Sequence, residues 1–205
     1  MAGKSGFMKD AFILFAITLI SGLALGGVYE VTKEPIEQAT IAANNATYQS
    51  VLPEASSFEE DTSLASSIET CNTELAGMDF GNVGVDSVLI AKDSSGAEAG
   101  YVINTHSNDS YGGPVEISVG FNAEGSISAI GFLAIDDTPG LGLKAKEPAF
   151  KDQFVGKAAQ TFEVTKTGAS ADNQIQAISG ATITSTAVTN ATNAAVYFVQ
   201  NCLAQ

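Results

Sequence analysis

The chain has no arginine and no tryptophan, one histidine and two cysteines among its 205 residues. Without Arg there is no planar guanidinium to grip a phosphate or read a base edge, and nine Lys stand against 23 acidic residues, a formal charge of -14. Nucleic acid is disfavoured as a partner, because its backbone demands a cationic surface. A Ser-His-Asp hydrolase would have only His106 to serve as base. Two Cys without C-x-x-C spacing and a single His leave too few ligands for a zinc, haem or iron-sulfur site built by this chain alone, so no metal site is expected. His106 ends an apolar strand-like run and reads as an ordinary loop residue. Cys71 and Cys202 are far apart in sequence, so a disulfide between them is allowed but not implied.

What the chain does have is a hydrophobic content of 45%, too high for a disordered polymer, and one long apolar run. Between Asp10 and Glu30 lie 19 uncharged residues, AFILFAITLISGLALGGVY. As a helix they span roughly 28 Å at about 1.5 Å per residue, the thickness of a bilayer core. The run has no polar stripe of the kind that a helix on a globular core carries. A transmembrane helix is therefore expected over 11–31, after a short N-terminal segment, 1–10. Lys4 and Lys9 precede the run, whereas Glu30, Glu34 and Glu37 outweigh Lys33 after it, which predicts a cytoplasmic N-terminus and an extracytoplasmic remainder. That remainder holds seven Lys and 22 acidic residues, a surface that stays soluble and repels anionic lipid. A cleaved signal peptide is the rival reading, with Ala24-Leu25-Gly26 as a small-x-small site, although the apolar run exceeds the about 7–15 residues usual there.

Downstream, residues 32–85 read as a helical and loop connecting region. A helix continues to about residue 52 with Pro35 near a turn and Pro53 closing it, and a short helix lies around Leu64–Leu75. The domain proper is expected over 86–205. Strand candidates are Ser87–Lys92, Ala99–Thr105, Val115–Phe121 and Ser126–Ile135. In VEISVGF the apolar Val115, Ile117, Val119 and Phe121 alternate with Glu116, Ser118 and Gly120, the period of a half-buried strand. Asn122–Gly125 turns the chain back, which makes the sheet antiparallel. Glu147–Val155 reads as a short helix. The chain closes with a helix from about Ser185 to Leu203, whose Val188, Ala191, Ala195, Phe198 and Cys202 recur at three- and four-residue steps. The fold class predicted is α+β, a curved antiparallel sheet with flanking helices.

Two stretches interrupt this pattern. DDTPGLGLK, residues 136–144, breaks the strand rhythm with one Pro and two Gly. SGATITSTAV, residues 179–188, sets hydroxyls beside a Gly-Ala pair where the last helix begins. With Thr184 or Ser185 as N-cap, Ser179–Thr184 would deliver the chain into a helix N-terminus, where free N–H groups and the positive dipole end favour a phosphate. Gly180 and Ala181 would let a bulky ligand approach the backbone. A plain capped helix start explains the same residues, and physics alone does not single out one hydroxyl.

SGATIT resembles the S/T-G-A-T motif of the FMN-binding domain family, DDTPGLG resembles that family's E-T-P-G-L-G signature, and YGGPVEISVGF resembles the strand-entry segment before it. With a single N-terminal membrane helix, the chain is similar to the G subunits of Rnf-type ferredoxin:NAD oxidoreductase complexes and to the related C subunits of sodium-translocating NADH:quinone oxidoreductases. The likeness runs along nearly the whole chain and is weakest over 54–85. It implies FMN esterified through its phosphate to Thr182, the last residue of the tetrapeptide, with Ser179, Gly180, Ala181 and Thr184 around it. Asp137, Thr138 and Leu141 match positions that pack on the flavin or hold its ribityl-phosphate, while Gly140 and Gly142 let the loop turn. Lys166 is the candidate cation near the cofactor and Lys144 its runner-up; an ordinary exposed Lys explains Lys166 equally well. Two departures from the pattern stand out: Gln176 occupies a position where the family often has an acidic residue, and Asp137 one where Glu is commoner.

The resemblance implies a membrane-anchored electron carrier with no catalytic residue of its own, relaying electrons between ferredoxin and NAD within a complex that moves Na+ or H+. Its partners would be the complex's other membrane and peripheral subunits, and a flavin transferase for maturation. A free-standing extracytoplasmic flavoprotein or redox sensor, and a non-redox adhesion module that kept the fold without the cofactor, are the alternatives. Purification alone with flavin would mark the first, and a colourless native protein the second.

Overall fold

The computed structural model describes residues 4–203. It opens with α1, Lys4–Val51, a single 48-residue helix that passes through Pro35 without a turn, a difference from the sequence reading. Proline removes the hydrogen bond to the carbonyl of Val31 and crowds that carbonyl with its ring, yet the helix continues on either side. The chain divides into two compact units, Met1–Ala43 and Asn44–Gln205.

In the first unit the apolar side chains have no protein cover: Phe12 is 71% exposed and Leu23 70%. Holding such side chains in water forfeits about 1.5–3 kcal/mol each, so a row of them calls for a non-aqueous surrounding. Among the described residues this is the one helix long and apolar enough to cross a membrane, with a mean hydropathy of 2.3 in its most apolar window. It fits a single-pass anchor.

The second unit is α+β, built on a five-stranded antiparallel sheet in the order β1-β2-β3-β4-β5. The strands are β1 Ser57–Glu60, β2 Val83–Lys92, β3 Glu98–Ser107, β4 Val115–Asn122 and β5 Ile127–Ile135. The four strand candidates fall on β2 to β5, with β2 beginning four residues early. β1 lies in a stretch read as loop, and the unit begins at Asn44, whereas residue 86 falls inside β2. His106 is a strand residue and not a loop one: it faces Gly84 on β2 and Glu116 on β4. Its Nδ1 lies 2.7 Å from Asp86 Oδ1, and that hydrogen bond raises its pKa above the ordinary imidazole value.

Both faces of the sheet are covered. On one, α2 (Ala65–Leu75) and α4 (Thr182–Asn201) pack over Val88, Ile103, Ile117, Val119 and Phe121. Cys71 of α2 and Cys202 just past α4 are free and buried there. On the other face, Tyr48, Val51 and Leu52 at the end of α1 pack on Leu89, Ala91 and Val102. This second layer buries both faces of β4 from Ile117 to Phe121 where its alternating pattern predicted a half-buried strand: Ser118 is 0% exposed. Two devices allow it. Ser118 Oγ donates to Asn104 Oδ1 at 2.7 Å, and Asn104 Nδ2 donates to Tyr48 Oη and Ser87 Oγ at 2.9 Å each, so no polar group there is stranded. Gly120 has no side chain, and any Cβ would overlap the carbonyl of Val51.

Beyond β5 come α3, Pro148–Lys151, and a 3-10 turn over Asp152–Phe154, which together fill the segment read as one short helix. They carry Phe150 and Phe154 into a run of edge-to-face rings with Phe162, at centroid spacings of 5.9 and 5.4 Å. A small parallel pair, β6 Glu163–Thr165 and β7 Gln174–Gln176, then leads to α4.

Candidate functional site

Two turns of the same construction face each other at one end of the unit. In Thr138-Pro139-Gly140-Leu141 the N–H of Leu141 donates to the Thr138 carbonyl at 3.1 Å, and Gly140 has φ 78°. In Ile178-Ser179-Gly180-Ala181 the N–H of Ala181 donates to the Ile178 carbonyl at 3.0 Å, and Gly180 has φ 81°. A third residue with positive φ is what a type II turn requires, and glycine supplies it without a Cβ clash.

The second turn runs directly into α4, which starts at Thr182 with Ala181 as N-cap. This is three residues earlier than the sequence suggested, and the expected caps do other work. Ser185 Oγ accepts from the N–H of Ile178 and donates to the carbonyl of Ala181, both at 2.9 Å, pinning the incoming turn to the helix. Thr184 Oγ1 donates to Asp137 Oδ2 at 2.6 Å, fastening the helix to the loop after β5. Thr182 is thus the first helical residue. Helix geometry leaves the N–H groups of Thr182, Ile183 and Thr184 without intrahelical acceptors, beside the positive end of a 20-residue helix.

Asp137 is 9% exposed and collects donors: the Thr184 hydroxyl, the N–H of Thr138 at 2.6 Å and the Ser110 hydroxyl at 3.2 Å. Burial alone would raise its pKa; the hydrogen bonds from Thr184, Thr138, Ser110 and the N–H of Gly112 outweigh it and hold the carboxyl below its usual range. It is an anion at neutral pH and a weak base.

Between these elements lies a cavity of about 530 Å³. Of the sequence-predicted residues, Thr182, Thr184, Gly180, Ala181, Asp137, Thr138 and Leu141 line it. Ser179 faces instead a smaller neighbouring cavity of about 260 Å³, which Lys144 also lines. Gly140 shapes its turn without lining the larger cavity, and Lys166 is exposed just beyond β6, off the wall. Two wall residues escaped the sequence reading, Tyr111 and Ile183, while Gly142, expected only to let the loop turn, also lines the wall. A signal for Ile183 existed, since it lies out of phase with the apolar stripe of α4. Tyr111 sits inside the YGGP stretch but carried no periodicity to mark it.

The cavity's volume falls in the roughly 300–1,000 Å³ range of small-molecule sites. Among the described residues outside α1 the exposed large apolar side chains are Tyr111 (72%), Leu141 (43%), Val155 (48%) and Ile183 (54%), and three of these four stand around this cavity. An apolar slot for a flat ring, beside a helix N-terminus suited to a phosphate, fits FMN. Among the described residues Thr182 has no hydrogen-bond partner for its hydroxyl, whereas that of Thr184 is committed to Asp137.

Comparison with known proteins gives the same direction. The model of the FMN-binding domain family matches residues 110–197. The G subunit of the Na(+)-translocating ferredoxin:NAD(+) oxidoreductase complex of Acetobacterium woodii is 36% identical over 195 residues, covering 94% of this chain and 91% of that one. The G subunit of the proton-translocating ferredoxin:NAD(+) oxidoreductase complex of Clostridium ljungdahlii is 29% identical, covering 92% of each. Among solved structures, the C subunit of the Na(+)-translocating NADH-quinone reductase of Parabacteroides distasonis is 26% identical at a TM-score of 0.48, over 58% of this chain and 63% of that one. The identity to the Acetobacterium protein, over nine-tenths of both chains, establishes the family: the chain belongs to the G subunits of ion-translocating ferredoxin:NAD(+) oxidoreductase complexes.

Proposed function

We propose that this protein is the membrane-anchored flavoprotein subunit of an Rnf-type complex, carrying FMN on Thr182 through a phosphoester and relaying electrons between ferredoxin and NAD(+), coupled to movement of Na+ or H+. The observation that carries the reading is the uncommitted hydroxyl of Thr182 at the head of α4, on the wall of a cavity that combines a helix N-terminus with three exposed apolar side chains. FMN, when bound, supplies the ability to take up and release electrons. The chain's own residues hold it. Thr182 Oγ1 fixes the phosphate where the first N–H groups of α4 favour its remaining negative charge. Leu141 and Ile183 keep water from the ring, and the Asp137 carboxylate disfavours further negative charge beside it.

Attachment calls for a second protein. A threonine hydroxyl is a poor nucleophile without a base, and the carboxylate on the cavity wall, Asp137, already accepts several hydrogen bonds and is weakly basic. A flavin transferase using FAD meets the need: the Thr182 Oγ1–P bond forms as the pyrophosphate P–O bond breaks, AMP leaves, and the hydroxyl proton passes to a base on the transferase. The positive flank of α1, Lys4 and Lys9, supports a cytoplasmic N-terminus, with the flavin domain outside.

The test is intact mass and denaturing-gel fluorescence on protein from its native membrane, with Thr182→Ala made in the same host. The expected result is an FMN-sized increment and in-gel fluorescence that the variant lacks. A native protein without the increment, or a variant that keeps it, overturns the assignment.

A further inference from the structure

We propose that Tyr111 forms the aromatic wall of this cavity, its ring stacked on the isoalloxazine of the flavin held at Thr182; the inference rests on the reading above. Tyr111 is 72% exposed, although an aromatic of its size dominates burial energetics wherever it can reach a core. Its neighbours explain why it stays out. On one side the Ser110 hydroxyl donates to Asp137 Oδ2 at 3.2 Å. On the other, Gly112 lies so close to the next loop that a Cβ would overlap the carbonyl of Asp136. Residues 110 and 112 are thus both held against the Asp136–Asp137 segment, and the residue between them is turned outward over the cavity with no way back to the core.

The surroundings give that exposed ring a target. Leu141 and Ile183 reach the same cavity from the loop after β5 and from the first turn of α4. Among the described residues the Tyr111 hydroxyl has no hydrogen-bond partner, so nothing in the protein itself calls for a phenol there. One aromatic and two aliphatic walls around a slot suit a flat conjugated ring, which gains from offset stacking beyond its area of contact. The wall also shields the ring from small solutes.

The experiment uses the full-length protein, purified with its flavin, as wild type, Tyr111→Phe and Tyr111→Ala, each first checked by intact mass for the FMN increment. Two quantities are read: flavin fluorescence lifetime and the rate of quenching by iodide. A stacked phenol shortens the lifetime by donating one electron to the excited ring and recovering it on recombination, so nothing is consumed. The expected result is a severalfold longer lifetime in both variants, with iodide access raised in Tyr111→Ala and close to wild type in Tyr111→Phe, whose ring keeps the wall. A role confined to loop structure would not separate the two variants in this way. Should Tyr111→Ala fail to acquire flavin, the lifetime of Tyr111→Phe against wild type decides. An FMN increment with unchanged lifetime in Tyr111→Phe and unchanged iodide access in Tyr111→Ala overturns the stacking alone. A wild type without the increment overturns the flavin assignment, and the stacking with it.

Discussion

Thr184→Val is the sharpest probe of how the site is held together. The substitution keeps the shape of the side chain and removes only the hydroxyl that donates to Asp137 Oδ2 at 2.6 Å, in a residue 1% exposed. A hydrogen bond to a charged acceptor contributes about 1.5–3 kcal/mol. With three donors left on the carboxylate, a loss of about 2 kcal/mol is expected, and for a unit of this size each kcal/mol moves the midpoint by about 2–4 °C, giving ~4–8 °C. Asp137 is held below its ordinary value, so its contribution is present above about pH 4, the unfolded-state value, and is lost as pH falls through the folded one. The gap between wild type and variant should therefore be full at pH 7 and close below about pH 4. Differential scanning calorimetry of the detergent-solubilised chain at several pH values reads this directly. In an Asp137→Asn background the same substitution should cost no more than a neutral hydrogen bond, about 0.5–1.5 kcal/mol. A variant as stable as wild type at pH 7, or a gap that persists unchanged in acid, would refute the account of the site as two elements clasped by one carboxylate.

Two further outcomes follow from other parts of the fold. The pair of His106 with Asp86 is partly exposed, so His106→Gln should cost no more than about 1 kcal/mol. Because the pair raises the imidazole pKa, that contribution is complete below about pH 6.5 and disappears as pH rises through the folded value; a ring titration by NMR with a midpoint at or below about 6.5 would refute it. Gly120→Ala puts a methyl into the carbonyl of Val51 and should destabilise by about 1–3 kcal/mol, loosening the end of α1 from the sheet, which calorimetry together with proteolysis near Leu52 would detect.

Local signals in the chain marked those elements whose physics is local. The apolar run of α1 is legible because a membrane helix satisfies its own backbone and needs only composition and length. Strand β4 and most of α4 are legible because the face turned to the larger core takes the big apolar side chains, which imposes a period of two or 3.6 on the residues themselves. The same holds for the turns at Gly140 and Gly180, where a positive φ demands glycine. The residues DDTPGLG and SGATIT were also enough to indicate a flavin, through resemblance and not through periodicity.

Other features depended on partners distant in sequence. β1 and the β6–β7 pair are three or four residues long, too short to display a period, and exist because a neighbouring strand offers them hydrogen bonds. The burial of Ser118 and Gly120 depends on the end of α1 lying across the sheet, some 70 residues away in sequence. The start of α4 at Thr182 depends on Ser185 reaching back to Ile178 and Thr184 reaching across to Asp137. The sequence by itself determined the anchor, the sheet and the residues of the motif. Only the tertiary structure decided which hydroxyl stays uncommitted at the helix head and that Tyr111 lines the same cavity, because both depend on contacts closed between segments that the chain alone leaves apart.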